Sequence, residues 1–223
     1  MNVMILAAGR GERLRPLTEA IPKPLVEVAG ETLLGRHLQR LARAGFSRAV
    51  INVSHLADKI IARFGDGARH GIRIGWSRES QPLETAGGIA WARELLGPDP
   101  FLLVNADIWC DYDFSRLLDF RLNRKLAHLL LVPNPPHHPG GDFTLDRGLV
   151  GNAPLPRYTY AGISVLSPRL VGGVAAGQKA QLAPLWRGAA DRGEVTGELY
   201  EGNWSDVGTP ERLDELNERL HER

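Results

Sequence analysis

The 223-residue chain has little cysteine and almost no excess of charge. Cys110 is the only cysteine, so an internal disulfide is excluded, and no neighbouring base would make it a nucleophile. Lysine and arginine number 27 against 26 for aspartate and glutamate, a formal net charge of +1. This balance excludes the strong overall field on which nucleic-acid and membrane-surface binding depend, and we expect neither partner. Any anion binding must therefore come from local groups of charge.

Long hydrophobic runs are also missing. The sequence contains no stretch of about 18 apolar residues that would cross a membrane and no secretory signal pattern, so we expect a cytoplasmic protein. With 43% hydrophobic and 24% charged residues, a chain of this length is typical of one compact catalytic domain. We expect it to be a monomer or a small homo-oligomer.

Short apolar segments alternate with helical patterns over the first 132 residues. Five segments predict strands buried on both faces: Val3 to Leu6, Ala49 to Val53, Ile72 to Trp76, Phe101 to Val104 and His128 to Val132. After Val132, the loop PNPPHHPGGD leads to further strands near 142–145, 158–166 and 195–200 and to helices near 182–190 and from Pro210. The pattern predicts a single-domain α/β fold with a Rossmann-like, mostly parallel sheet flanked by helices.

The turn GRGERLRP, which follows the first strand directly, is the most informative local feature. Glycines in such a turn let the backbone approach a ligand, and its arginines favour an anion such as phosphate. Two common phosphate loops do not fit, because Leu14 stands where a dinucleotide fingerprint needs glycine and no Walker A ending is present.

The segments LAAGRGERLRPLT and PKPLVEVAG together resemble the sugar-1-phosphate nucleotidyltransferases. The resemblance implies a GT-A-like fold that binds a nucleoside triphosphate and a sugar 1-phosphate. In that family the backbone near Ala8 and Gly9 lies against the nucleoside, and the amides at Gly11 face the phosphates. Arg13 would neutralise the leaving pyrophosphate, and Lys23, held between two prolines, would contact the α-phosphate or the sugar phosphate.

Two aspartates far apart in the chain match the metal-binding motifs of the same family. Asp107 ends the apolar strand FLLVNAD, where Ala106 replaces the usual glycine, and Asp206 stands in the late motif WSDVGTP. Mg²⁺ prefers one or two carboxylates plus phosphate oxygens, so both are predicted metal ligands and catalytic residues.

The stretch RESQPLETAGG corresponds to the family's loop beside the nucleobase, with Glu84 in place of a glycine. The resemblance places Glu79 and Thr85 near the base and offers the backbone amide of Gly87. Together with the compact chain, this stretch resembles the branch of the family that uses UTP and N-acetylmuramic acid 1-phosphate in peptidoglycan recycling.

Candidates for sugar contacts follow by position in the same resemblance: Asn105, Asp142, Thr159 and Gly162. Residues 1–132 would form the nucleotide-binding part and residues 133–223 the sugar-binding part. A basic side chain such as Arg157 or Lys179 would receive the acceptor's carboxylate. His137 and His138 lack further ligands at metal spacing, which favours a solvated loop over a zinc site.

Three alternatives remain open at this point. The chain is also compatible with a mannose-1-phosphate guanylyltransferase, a glucose-1-phosphate thymidylyltransferase or a non-catalytic regulatory relative. A non-catalytic chain would have no reason to keep Arg13, Lys23, Asp107 and Asp206 together, which argues against the last.

Overall fold

The computed structural model describes residues 1–154 and 156–221. The strands are β1 (Asn2–Leu6), β2 (Glu27–Val28), β3 (Glu31–Thr32), β4 (Arg48–Val53), β5 (Arg73–Arg78), β6 (Phe101–Asn105), β7 (Ile108–Cys110), β8 (Ala127–Val132), β9 (Thr144–Asp146), β10 (Leu149–Gly151), β11 (Thr159–Leu166), β12 (Val195–Leu199) and β13 (Trp204–Asp206). The α-helices are α1 (Leu17–Ala20), α2 (Leu33–Arg43), α3 (Ala57–Phe64), α4 (Glu84–Trp91), α5 (Arg93–Leu96), α6 (Ser115–Leu118), α7 (Ala183–Asp191) and α8 (Pro210–His221).

A nine-stranded sheet in the order β5-β4-β1-β6-β11-β8-β12-β10-β9 forms the centre of the molecule. β5, β4, β1 and β6 run parallel, and β8 and β12 share their direction because β11 lies antiparallel between β6 and β8. The predicted mostly parallel α/β sheet is confirmed, and β9 to β12 of the carboxyl-terminal part join it, whereas β13 pairs with β7 in a separate two-stranded sheet. No helix among the described residues has both the length and the apolarity to cross a membrane.

Four of the five predicted strands in the first 132 residues are buried almost throughout, but β5 differs. Its end residues Arg73 and Arg78 are exposed, and its centre is only half-buried. The strand lies at the edge of the sheet with β4 as its one neighbour, and edge strands commonly carry charged side chains that block further pairing. The prediction of burial on both faces is therefore wrong for this strand.

Two large apolar clusters cover the two faces of the sheet, and a third lies under α8. This third cluster joins the glycine-rich loop, the β2–β3 hairpin, β7 and α8 through Leu14, Val26, Val28, Leu33, Trp109, Val207 and Leu216. Because burying an apolar side chain contributes about 1.5–3 kcal/mol, these contacts hold the segments that carry Lys23, Asp107 and Asp206 against one another.

Candidate active site

A cleft of about 740 Å³ opens at the carboxyl ends of three adjacent parallel strands. Leu6 of β1 lies abreast of Asn52 in β4 and of Asn105 in β6, and all three residues line the cleft. The rest of the lining comes from Ala7 to Arg10, Glu12, Lys23, Pro24, Glu79, Gln81, Pro82, Glu84, Thr85, Ala106, Asp107 and Lys179. Open α/β sheets bind their ligands at the carboxyl ends of their strands.

The two glycines of the loop have different roles in the structure. A Cβ on Gly9 would meet no atom within 4 Å, and this residue lines the cleft. Gly11 has φ +66°, and a Cβ there would lie 2.9 Å from Thr18 Cγ2. Thr18 Oγ1 also donates to the Gly11 carbonyl over 2.8 Å. Gly11 is therefore required by the turn itself, whereas Gly9 leaves open space for a ligand.

One arginine of the loop lines the cleft although the sequence analysis did not select it. Arg13 lies exposed in the 3-10 turn Glu12–Leu14 and is not among the described residues that line the cleft. Arg10, which lies between the two glycines, does line it. Its position between the two glycines of the turn could have identified Arg10 as a candidate from the sequence.

Lys23 and Asp107 form the tightest charge pair in the cleft. Lys23 Nζ donates to Asp107 Oδ2 over 2.5 Å, and the lysine side chain is only 12% exposed. The turn Lys23–Leu25 begins after Pro22 and includes Pro24, which fixes the backbone that carries the ammonium group. The predicted catalytic lysine and the first predicted metal ligand are therefore in direct contact.

Strand pairing brings the backbone of Asp206 beside that of Asp107, although Asp206 is not among the described residues that line the cleft. β13 pairs with β7, with Asp206 opposite Ile108, and the Val207 amide donates to the Asp107 carbonyl over 2.8 Å. The two aspartate-bearing segments thus lie side by side, but the two carboxylates have different cationic partners. Asp206 Oδ2 accepts from Arg212 Nη1 over 2.6 Å.

His137 is a second residue that sequence reasoning left outside the site. Its Nε2 lies 2.7 Å from Arg212 Nη1 and 2.9 Å from Asp206 Oδ1. A guanidinium group only donates, so the ring nitrogen is the acceptor in the contact with Arg212. Asp206 Oδ1 is buried and has no hydrogen-bond donor among the described residues. His137 is exposed in its loop, as the sequence analysis expected, and the loop also brings its ring to this carboxylate.

Glu79 is almost fully buried, and its carboxylate is used within the protein. Oε1 accepts from Asn52 Nδ2 over 2.7 Å and Oε2 from the Leu83 amide over 2.9 Å, while Asn52 Oδ1 accepts from the Ala7 amide. Burial raises the pKa of Glu79 above its ordinary value. Gln81 lines the cleft with an amide that can both donate and accept, and the sequence analysis did not select it.

Thr85 and Gly87 support a loop from the carboxyl-terminal part of the chain. Thr85 lines the cleft, and its Oγ1 accepts from the Leu182 amide over 2.8 Å. The Gly87 amide donates to the Ala180 carbonyl over 3.1 Å, and a Cβ there would lie 2.3 Å from the Gln178 carbonyl. Gly87 is therefore directed to this loop and not to the cleft.

The four candidates for sugar contacts separate into two groups. Asn105 lines the cleft. Gly162, with φ +78°, does not line it but lies behind Asn105 at the register shift of β11, where a Cβ would be 3.1 Å from Asn105 Cβ. Asp142 accepts from the Tyr160 amide over 2.8 Å, and Thr159 donates to Asn134 Oδ1 over 2.9 Å. These last two are not among the described residues that line the cleft.

Comparison with known proteins agrees with this geometry. The model of the nucleotidyl transferase family matches residues 2–142. The chain belongs to the nucleotidyl transferase family. It is 46% identical over 96% of its length to an N-acetylmuramate alpha-1-phosphate uridylyltransferase from Neisseria meningitidis, of which it covers 96%. A protein of the same name from Caulobacter vibrioides is 36% identical over 98% of this chain and 96% of its own.

The nucleotidyl transferase fold extends over the whole chain. A crystal structure from Bacillus anthracis, assigned as a candidate glucose-1-phosphate thymidylyltransferase and solved with sucrose, matches with a TM-score of 0.88. The match covers 100% of this chain and 96% of the other at 18% identity, so it shows the shared fold. As a nucleotidyl transferase, this protein is an enzyme.

Proposed function

We propose that this nucleotidyl transferase moves UMP from UTP to N-acetylmuramic acid α-1-phosphate and releases pyrophosphate. The observation that carries the proposal is the end-to-end similarity to the Neisseria meningitidis uridylyltransferase, at 46% identity over 96% of both chains. Such a reaction belongs to peptidoglycan recycling, and we place it in the cytoplasm, where nucleotides and sugar phosphates are available.

The chemistry we propose needs no covalent enzyme intermediate. An oxygen of the acceptor phosphate attacks the α-phosphorus of UTP in line, a new P–O bond forms, and the bond to the β-phosphate breaks. A phosphate monoester is already an anionic nucleophile near pH 7, so positioning and charge stabilisation are the main requirements. Lys23 would hold the reacting phosphates, and Arg13 and Arg10 would offset the charge of the pyrophosphate.

A divalent cation fits the two aspartates. Asp206 Oδ1 is buried without a donor, and Asp107 holds a lysine that phosphate oxygens would attract. Among the described residues no group of three or more histidine, cysteine, aspartate and glutamate side chains could hold a metal, so substrate phosphates would complete the ligand set. Bound there, Mg²⁺ would neutralise phosphate charge and fix the phosphate geometry.

Recognition of the two substrates would be divided between the two parts of the chain. We propose that Ala8, Gly9, Gln81 and Thr85 contact the nucleoside and that Glu79 acts mainly by fixing the loop through Asn52. Asn105 and Gly162 would border the sugar. Residues 1–132 would then form the nucleotide-binding part and residues 133–223 the sugar-binding part of one domain.

Product analysis tests the proposal. Purified enzyme, Mg²⁺ and UTP are incubated separately with the 1-phosphates of N-acetylmuramic acid, N-acetylglucosamine, mannose and glucose. We expect the UDP-linked N-acetylmuramic acid and pyrophosphate to form fastest. Faster turnover of any other acceptor would contradict the acceptor assignment.

A further inference from the structure

Glu84 has an unusual backbone conformation for its residue type. Its φ is +62°, in the left-handed region that favours glycine. The residue begins α4, and its side chain, which is 41% exposed, lines the cleft. A positive φ is energetically unfavourable for glutamate. We therefore expect the Glu84 side chain to have a function that offsets this cost.

Lys179 faces Glu84 across the rim of the cleft. Its Nζ lies 3.7 Å from Glu84 Oε1, and the lysine side chain is 68% exposed. An exposed pair at this distance is weak and easily exchanged. Lys179 can therefore leave Glu84 for another anion at little cost.

The backbone that carries Lys179 is held firmly although the side chain is exposed. The Ala180 carbonyl accepts from the Ala86 and Gly87 amides, and the Ala180 amide donates to the Leu83 carbonyl over 3.0 Å. All three hydrogen bonds are made by Ala180, the next residue after Lys179, and they fasten this segment to the amino end of α4. The ammonium group is thus presented to the cleft from a fixed position.

We infer that Lys179 receives a second anionic group of the acceptor, a carboxylate outside its phosphate, and that Glu84 holds the lysine until that carboxylate arrives. This inference rests on the proposed function. The phosphates of both substrates are assigned to Lys23 and the glycine-rich loop, and uracil is uncharged. The lactyl carboxylate is the one remaining ionised group of the substrate pair, and Lys179 lines the cleft on a different segment of the chain.

The test compares two acceptors that differ in the lactyl group. We would measure kcat and KM for the 1-phosphates of N-acetylmuramic acid and N-acetylglucosamine with saturating UTP, and take the ratio of the two kcat/KM values. In Lys179→Met this ratio should fall about fivefold, mostly through KM for the muramic acid substrate. Lys179→Arg should keep most of the ratio, and Glu84→Gln should keep or raise it.

A matched control removes a positive charge elsewhere. Arg124 is exposed and precedes the amino end of β8. The cleft lies at the opposite, carboxyl ends of the parallel strands, so Arg124→Met should leave the ratio unchanged. Higher salt should lower the wild-type ratio and have less effect on Lys179→Met, because screening weakens an exposed ion pair.

The possible failures are distinguishable. An unchanged ratio in Lys179→Met, or an equal loss for both acceptors, overturns the role of Lys179 while the proposed function stands. A wild-type enzyme that prefers N-acetylglucosamine 1-phosphate overturns both.

Discussion

Lys23 Nζ lies 2.5 Å from Asp107 Oδ2, although the two residues are 84 positions apart in the chain. The contact joins a lysine fixed by flanking prolines to the first carboxylate after β6. Since both groups are assigned to phosphate and metal, the lysine must exchange its partner when substrate binds. Substitutions of Lys23 and of Asp107 can therefore test the phosphate contact and the metal contact separately.

The two aspartates should be essential for turnover. Asp107→Asn and Asp206→Asn should each lower kcat about 10³-fold or more in saturating Mg²⁺, because several kcal/mol of phosphate repulsion would be uncompensated. Asp146→Asn changes an exposed aspartate of β9 and should leave kcat unchanged. Near wild-type turnover in either of the first two variants would refute the two-carboxylate site.

The glycine-rich loop allows a test that separates ligand approach from folding. Gly9→Val should raise KM for UTP while the thermal midpoint of unfolding stays within about 2 °C of wild type, because a side chain there enters open space in the free protein. Gly11→Val should lower the midpoint, since φ +66° and Thr18 at 2.9 Å both oppose a β-branched residue. Calorimetry and UTP titration of both variants would show whether these effects separate. Unchanged UTP binding in Gly9→Val would contradict the proposed contact.

Replacing Glu84 should show how much its positive φ lowers the stability of the folded protein. Glu84→Gly and Glu84→Ala both remove the carboxylate, but only glycine relieves the positive φ. We expect the glycine variant to be more stable than the alanine variant by about 1 kcal/mol in urea unfolding. Equal stabilities would mean that the free backbone does not hold the left-handed conformation.

Burial of His37 should make the stability depend on pH. Burial lowers the pKa of His37 from 6.5 to about 4. Between these values the unfolded chain binds a proton that the folded chain does not, so this contribution is complete above pH 6.5 and falls as the pH drops toward 4. Between pH 7.5 and pH 5, wild type should lose about 2 kcal/mol more unfolding free energy than His37→Met.

The control for this measurement is His221→Met, which changes an exposed histidine at the end of α8. Its unfolding free energy should follow the wild-type pH dependence. If His37→Met also followed it, a depressed pKa at His37 would be ruled out.

The sequence predicted the part of the fold that depends on local patterns. All five strands predicted in the first 132 residues are present, as β1, β4, β5, β6 and β8. Four of them are buried almost throughout, because a strand buried on both faces must be apolar at every position. The edge position of β5 was not predictable from its own residues, since strand order depends on long-range pairing. The short β7–β13 pair was missed for the same reason.

Motif matching selected Lys23, Asp107 and Asp206, because each stands in a long matched segment, and the fold brings these three segments together. It did not find that His137 reaches Arg212 across 75 positions, which depends on how a proline-rich loop folds back. Asp142 and Thr159 were selected by position along the chain, yet their side chains bond to Tyr160 and Asn134. Position alone does not determine which way a side chain points.

Nucleotide choice is the most direct measure of the central claim. With N-acetylmuramic acid 1-phosphate fixed, pyrophosphate release should be measured for UTP, dTTP, GTP, CTP and ATP at constant Mg²⁺ and salt. We expect UTP to give the highest kcat/KM, with dTTP the nearest competitor, since one methyl group in an apolar pocket is worth only about 1–3 kcal/mol. A higher kcat/KM for GTP or dTTP would contradict the assignment as a uridylyltransferase.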